Sequence, residues 1–267
     1  MLRDEQQGSV RSADGTQIGW FETGDGPPLV LVHGTTADHS RWATVIDQLG
    51  EHFRCYAVDR RGRGTSGDTD PYELEREFED ITAVIDAIDG PVNVLGHSYG
   101  ALCSLEAATR TANIGALILY EPPLPVGAQV VSPDTMDRID ALIAADDREG
   151  ALEAFMRDIV QVNDEQLAHL RSLPAWKARI AAAHTLGREQ RMELTYVFEP
   201  DRFRDLQVRT LLLSGEESPA FLTEAIRSLE KILPNARVAV MPGQQHAAMD
   251  TGTDLFLQEV LGFLRER

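Results

Sequence analysis

Apolar residues fall into three patterns along this chain, and each predicts a different element. The short runs at 29–32 and 116–120 are continuously apolar, as expected for buried strands, and 53–58, 92–95, 207–213 and 236–241 read as further strands. Around Asp14-Gly15, residues 8–13 and 17–23 partly alternate between polar and apolar, which predicts an antiparallel hairpin at the sheet edge. Between the runs the spacing turns helical. Phe78, Ile81, Val84, Ile85 and Ile88 mark a helix within 73–89, and others are expected over 41–49, 99–110, up to about 232, and 253–265. Residues 132–198 change character. Met136, Ile139, Leu142 and Ile143, then Leu152, Phe155, Met156 and Ile159, keep a period near 3.6 with no strand signal between them. Strands interleaved with helices predict an α/β fold with about eight strands, mostly parallel, interrupted by a helical insertion.

One junction between a strand and a helix carries chemistry. The run Val92 to Leu95 stops at Gly96, and Gly96-His97-Ser98-Tyr99-Gly100 reads G-x-S-x-G before a stretch of small helix-forming residues. A serine at a sharp strand-to-helix bend sits in strained backbone, and side chains at the flanking glycines would collide. The bend lifts the hydroxyl clear of the sheet, beside helix N-terminal N–H groups suited to an oxyanion.

A serine hydroxyl needs a base within about 2.6–3.2 Å. Of the seven histidines, His39, His52, His169 and His184 lie away from strand ends. His97 adjoins Ser98, so a tight turn directs its ring away from the hydroxyl. His33 is expected to brace a loop. His246 follows the last strand, at the sheet edge that carries Ser98, and is the candidate base.

His33-Gly34-Thr35-Thr36, Asp59-Arg60-Arg61-Gly62-Arg63-Gly64-Thr65-Ser66, the Ser98 elbow and Gly243-Gln244-Gln245-His246 occur in this order, and with them the chain resembles an α/β-hydrolase. The resemblance implies an eight-stranded, mostly parallel sheet with helices on both faces. It also implies a core over 1–121 and 202–267 and a helical cap over 122–201, whose Met, Phe and Trp176 side chains are candidates for a pocket wall. In that family the backbone N–H after His-Gly and the one after the nucleophile form the oxyanion hole, which here puts the role on Thr35 and Tyr99. The arginine-rich segment at 60–64 lacks Walker spacing, and in the family it is a structural turn. One position departs from the family: Ser218 stands where an Asp usually ends a Gly-x-x-Asp turn, and a neutral serine cannot balance an imidazolium. Glu121, ending the strand after the elbow helix, sits where some haloalkane dehalogenases and zearalenone-type lactonases carry their acid. Resemblance therefore favours Glu121, with Glu217 as the alternative.

Ser98, His246 and Glu121 imply acyl transfer to water, with esterase or lactonase chemistry ahead of thioesterase or carbon–carbon bond hydrolysis. Dehalogenases and epoxide hydrolases of this fold use an Asp nucleophile, which Ser98 argues against. A non-catalytic receptor on the same fold is the reading from another class. The 267-residue chain has 43% hydrophobic and 25% charged residues, as in a globular protein, and 25 basic against 43 acidic residues give a net charge of −18. That balance disfavours nucleic acid and anionic membranes. Cys55 and Cys103 lie in apolar elements, as small buried hydrophobes. No metal-ligand cluster or dinucleotide fingerprint appears, so no metal or cofactor is expected. With no signal peptide or apolar span in view, the expected setting is cytoplasmic. The expected partner is a small apolar ester or lactone, and the chain is compatible with a homodimer.

Overall fold

A computed structural model describes residues 6–127, 132–173 and 175–266. The expected core and cap segments also take in 1–5, 128–131, 174 and 267, which lie outside the described residues. Eight strands form one sheet: β1 (Gln6–Arg11), β2 (Gln17–Thr23), β3 (Pro28–Val32), β4 (Arg54–Val58), β5 (Val92–His97), β6 (Ile114–Tyr120), β7 (Arg209–Gly215) and β8 (Ala236–Met241). They lie in the order β1-β2-β4-β3-β5-β6-β7-β8. β1 and β2 pair antiparallel, as the hairpin pattern predicts, and from β4 to β8 every pairing is parallel. Parallel register gathers the strand ends on one edge: Val32 pairs with Gly96, His97 with Tyr120, and Tyr120 with Leu213. The loops after β3, β5, β6 and β7 therefore open side by side.

Alternate strand residues feed two cores. Val30, Val32, Val94 and Leu117 face α2 (Leu74–Asp86), α3 (Tyr99–Ala107) and α9 (Ala220–Ile232). Leu29, Leu31, Leu95 and Ile118 face the other side, packed by Leu49 of α1 (Ile46–Gly50) and Phe256 of α11 (Thr253–Arg265). Each such side chain, withdrawn from water, contributes about 1.5–3 kcal/mol. Between β6 and β7 run α4 (Pro133–Ala144), α5 (Arg148–Asp158), α6 (Asp164–Ser172), α7 (Ala175–Ala182) and α8 (Leu186–Thr195), which bury a third core around Ile139, Leu152, Phe155 and Trp176. α10 (Ala248–Thr251) completes the set.

Among the elements that differ from the sequence reading, β1 runs 6–11 rather than 8–13, because Gln6 and Gln7 still pair with Glu22 and Phe21. The helix expected over 41–49 is a 3₁₀ turn, His39–Trp42, followed by the short α1, because Val45 N–H turns back to the Trp42 carbonyl at 2.9 Å. The strand expected over 207–213 runs two residues later, because Ser214 and Gly215 still pair with Val240 and Met241. Among the described residues no helix is long and apolar enough to cross a membrane.

Candidate active site

Ser98 occupies the bend between β5 and α3 with φ 56° and ψ −126°. A non-glycine residue in such backbone costs on the order of 1–3 kcal/mol and persists where its surroundings enforce it. Here the Ser98 N–H is held by the Tyr120 carbonyl at 2.9 Å, so the ladder with β6 continues into the bend. The motif glycines have the predicted steric role. A Cβ at Gly100 would strike the carbonyls of Val32 and His33, and one at Gly96 would come within 2.6 Å of the Ala101 Cα. Gly34 meets the nucleophile itself, since its Cβ would lie 2.8 Å from the Ser98 Cβ.

Glu121, one residue past β6, also has a left-handed backbone, φ 48°, and is fully buried. Its Oε2 lies 2.6 Å from His246 Nδ1. Its Oε1 accepts from the Gly215 N–H at 2.7 Å and from the Ser214 hydroxyl at 3.2 Å. The later end of β7 supplies both donors, so the carboxylate is fixed by three bonds with one oxygen toward the imidazole. With Nδ1–H donating to Glu121, the imidazole keeps Nε2 as its free lone pair. Glu217 is exposed and makes no bond to His246; its N–H donates to the Gln244 carbonyl at 2.9 Å. Ser218 fills the position where the family pattern has Asp, with its buried hydroxyl unpartnered among the described residues.

The His246 loop is pinned by two residues that motif reading passed over. Tyr120 OH donates to the Gln245 carbonyl and accepts from the Ala248 N–H at 3.0 Å. His97 turns from the serine hydroxyl: its ring lies 4.6 Å from that of His246, and its Nε2 is 2.8 Å from the His246 carbonyl. Burial, then the neighbouring His246 and Arg41, hold His97 well below the usual imidazole range. A neutral His97 therefore donates Nε2–H to that carbonyl. His33 braces its loop. Nε2 accepts from the Arg60 N–H at 3.2 Å, so Nδ1 is the protonated nitrogen that donates to the Gly34 carbonyl at 2.8 Å.

Ser98, His246 and Thr35 line one cavity of about 770 Å³. Its far wall comes from the inserted helices, with Phe155, Met156 and Ile159, and from Phe221 of α9. Trp176 is not part of that wall; it packs in the inserted core with its indole N–H on Glu149. Ser98 Oγ has no hydrogen-bond partner among the described residues, an open geometry common before substrate arrives. Tyr99 begins α3, so its N–H has no intrahelical acceptor, and Thr35 lines the same cavity next to Thr36, whose φ is 55°. Among the described residues no group of three or more His, Cys, Asp or Glu is placed to hold a metal ion.

Comparison with known proteins bears on the family. Residues 29–259 match the model of the alpha/beta hydrolase family. An alpha/beta hydrolase from Sphaerobacter thermophilus DSM 20745 is similar over 93% of this chain and 100% of its own, with a TM-score of 0.81 and 37% identity. The 2-(acetamidomethylene)succinate hydrolase of Mesorhizobium japonicum is 24% identical, over 91% of this chain and 90% of its own length. The 2-hydroxy-6-oxo-2,4-heptadienoate hydrolase of Pseudomonas putida is 26% identical, over 97% and 94%. With the family pattern matched from the first parallel strand to the closing helix, this chain belongs to the alpha/beta hydrolase family.

Proposed function

We propose that the protein is a serine hydrolase that cleaves a carboxylic ester or lactone through Ser98, His246 and Glu121. The observation that supports this most is the 2.6 Å contact of His246 Nδ1 with a buried carboxylate at the strand edge that holds Ser98. In this reading Ser98 Oγ attacks the carbonyl carbon while His246 Nε2 takes the hydroxyl proton. The tetrahedral oxyanion is held by the N–H groups of Thr35 and Tyr99, each donor worth about 10²–10³ in rate. His246 then gives its proton to the leaving alkoxide, which departs as the alcohol. In the second half a water loses its proton to His246, attacks the acyl carbon and releases the acid with Ser98 restored. Glu121 keeps Nδ1 protonated and balances the imidazolium throughout. The inserted helices act as a cap whose apolar side chains hold the body of the substrate.

A second reading uses the same three side chains on a carbon–carbon bond. It draws support from the Pseudomonas putida relative, whose substrate by name is a keto acid without an ester linkage. A fluorophosphonate probe and a p-nitrophenyl ester separate the cases. Labelling of wild type but not of Ser98→Ala, together with ester turnover, is the expected result. Labelling without turnover of any ester or lactone shifts the assignment to the second reading. Neither labelling nor turnover sinks both.

A further inference from the structure

One side chain in the cavity has no part in the hydrolytic reading. Arg179, on α7, reaches from the inserted helices to the loop after β3, where its Nη1 donates to Thr36 Oγ1 at 3.3 Å. It lines the cavity with Ser98 and His246 and is half-buried there. Among the described residues no carboxylate pairs with it. A guanidinium carries five N–H donors in a rigid fork and does not give up its charge in a protein. One long bond to a hydroxyl leaves most of that fork without a protein partner.

Its surroundings sharpen the imbalance. Arg41, on the 3₁₀ turn, lines the same cavity, but Asp250 takes it at 2.7 Å, and Asp250 also accepts from Thr44. Asp38 is engaged by the N–H and hydroxyl of Ser40. Glu165 and Glu217 are also in the lining, and both are exposed. Burial and then the charge of Arg41 bring Arg179 down to about 10 from the usual 12.5, while Asp250 and Asp38 pull the other way. Arg41 therefore has its own carboxylate in Asp250, whereas Arg179 beside it has no ion pair among the described residues. A further negative charge there relieves the repulsion and fills the fork in bidentate fashion.

We propose that the substrate carries a free carboxylate and that Arg179 is the residue that binds it. The proposal rests on the serine-hydrolase reading for the position of the reacting carbonyl. Thr36 follows Thr35, so the guanidinium stands beside the loop assigned to the oxyanion. An acid group held there aligns the scissile carbonyl, and Phe155 and Ile159 cover the hydrocarbon between. An acidic protein of net charge −18 disfavours anions at long range, so this local pair of guanidinium groups is what admits one.

Two measurements on the full chain test it. The first compares mono-p-nitrophenyl glutarate with its neutral isostere, p-nitrophenyl 5-methylhexanoate. Wild type is expected to prefer the charged ester in kcat/KM. Arg179→Gln should lose about 10- to 100-fold on that ester and less than about threefold on the neutral one, the size of a charge-assisted bond. Arg179→Lys, which keeps the charge without the fork, should fall between. Equal turnover of both esters by wild type, or an equal loss on both in Arg179→Gln, overturns the proposal. The second is calorimetric titration with glutarate, which needs no turnover. Binding to wild type and to Ser98→Ala that weakens at least tenfold in Arg179→Gln supports the subsite even where the hydrolytic reading fails. Identical binding with and without the guanidinium, or none to wild type, overturns it. Should Arg179→Gln not fold, Arg179→Lys and the wild-type preference still decide.

Discussion

Two of the buried charge clusters among the described residues differ in a way that separates the proposed chemistry from architecture. In the first, Glu121 faces His246, with one carboxylate oxygen on the imidazole and the other on Gly215 and Ser214. In the second, Glu189 of α8 reaches down to the arginine-rich turn after β4. Arg60 meets it at 2.7 Å and also takes Glu77 through two nitrogens, and Arg63 closes on the same Glu189 oxygen. All four charged side chains are buried, and Glu189 Oε2, Arg60 Nη1 and Arg63 Nε have no partner among the described residues. An Arg–carboxylate cluster has no proton to give at ordinary pH, so it acts only as a clasp between the sheet and the inserted helices. A His–carboxylate pair whose imidazole opens on a cavity does have one. Burial and pairing are common to both; a titrating partner with access to substrate belongs to one.

The largest effect that tests this contrast is on turnover. Ser98→Ala is expected to lower kcat by at least about 10⁵ with no change in melting temperature, since the nucleophile has no substitute and its hydroxyl no structural bond. Glu121→Gln should cost on the order of 10⁴ in kcat, because an amide favours the wrong imidazole tautomer and leaves the imidazolium unbalanced. Glu217→Gln should stay within about threefold of wild type. A normal rate in Glu121→Gln beside a collapse in Glu217→Gln would reverse the assignment of the acid. The clasp should respond in the opposite sense. Glu189→Ala leaves Arg60 and Arg63 buried with too little negative charge, and urea unfolding should show a loss of about 3–5 kcal/mol. If its loss were instead confined to kcat at unchanged stability, the division drawn here between the two clusters would fail.

The candidate site edge was legible in the sequence because parallel register fixes where strand ends meet. Once Val92–Leu95 and Ala116–Tyr120 read as buried strands, Ser98 falls on the edge where the last strand brings His246; Glu121 is preferred to Glu217 only through the family resemblance. What stayed hidden depends on packing between distant segments. Glu189 meets Arg60 across 129 residues, and Arg179 meets Thr36 across 143. No periodicity or turn chemistry encodes such pairs. The turn at 60–64 reads from sequence as a structural turn, yet Glu189, the partner shared by Arg60 and Arg63, lies in the inserted helices. The late end of β7 was equally invisible: Ser214-Gly215 looks like a loop, and only pairing with β8 holds it in the sheet to serve Glu121.

The smallest effect concerns protons on histidines that do no chemistry. His33 and His97 are buried, and both are held well below the ordinary value of 6.5, chiefly by burial and then by nearby cations. An unfolded chain takes up protons at these sites as pH falls through 6.5, whereas the native state does not. The unfolded state then binds more protons, so stability rises with pH and is lost on acidification below about 6.5, by roughly 1.4 kcal/mol per pH unit for each histidine. The clasp titrates elsewhere. Burial alone would raise Glu189, but Arg60 and Arg63 hold it below the usual 4.5, so its contribution is present above that value and fades only at lower pH. Urea unfolding at pH 7.5, 6.5 and 5.5 therefore reads the histidines without the clasp. His33→Gln supplies an amide donor and acceptor for Gly34 and Arg60 and should flatten the slope between pH 6.5 and 5.5 by about one proton. An unchanged slope would mean that His33 titrates alike in both states, and that the brace under the oxyanion loop is not the neutral imidazole its two backbone bonds require.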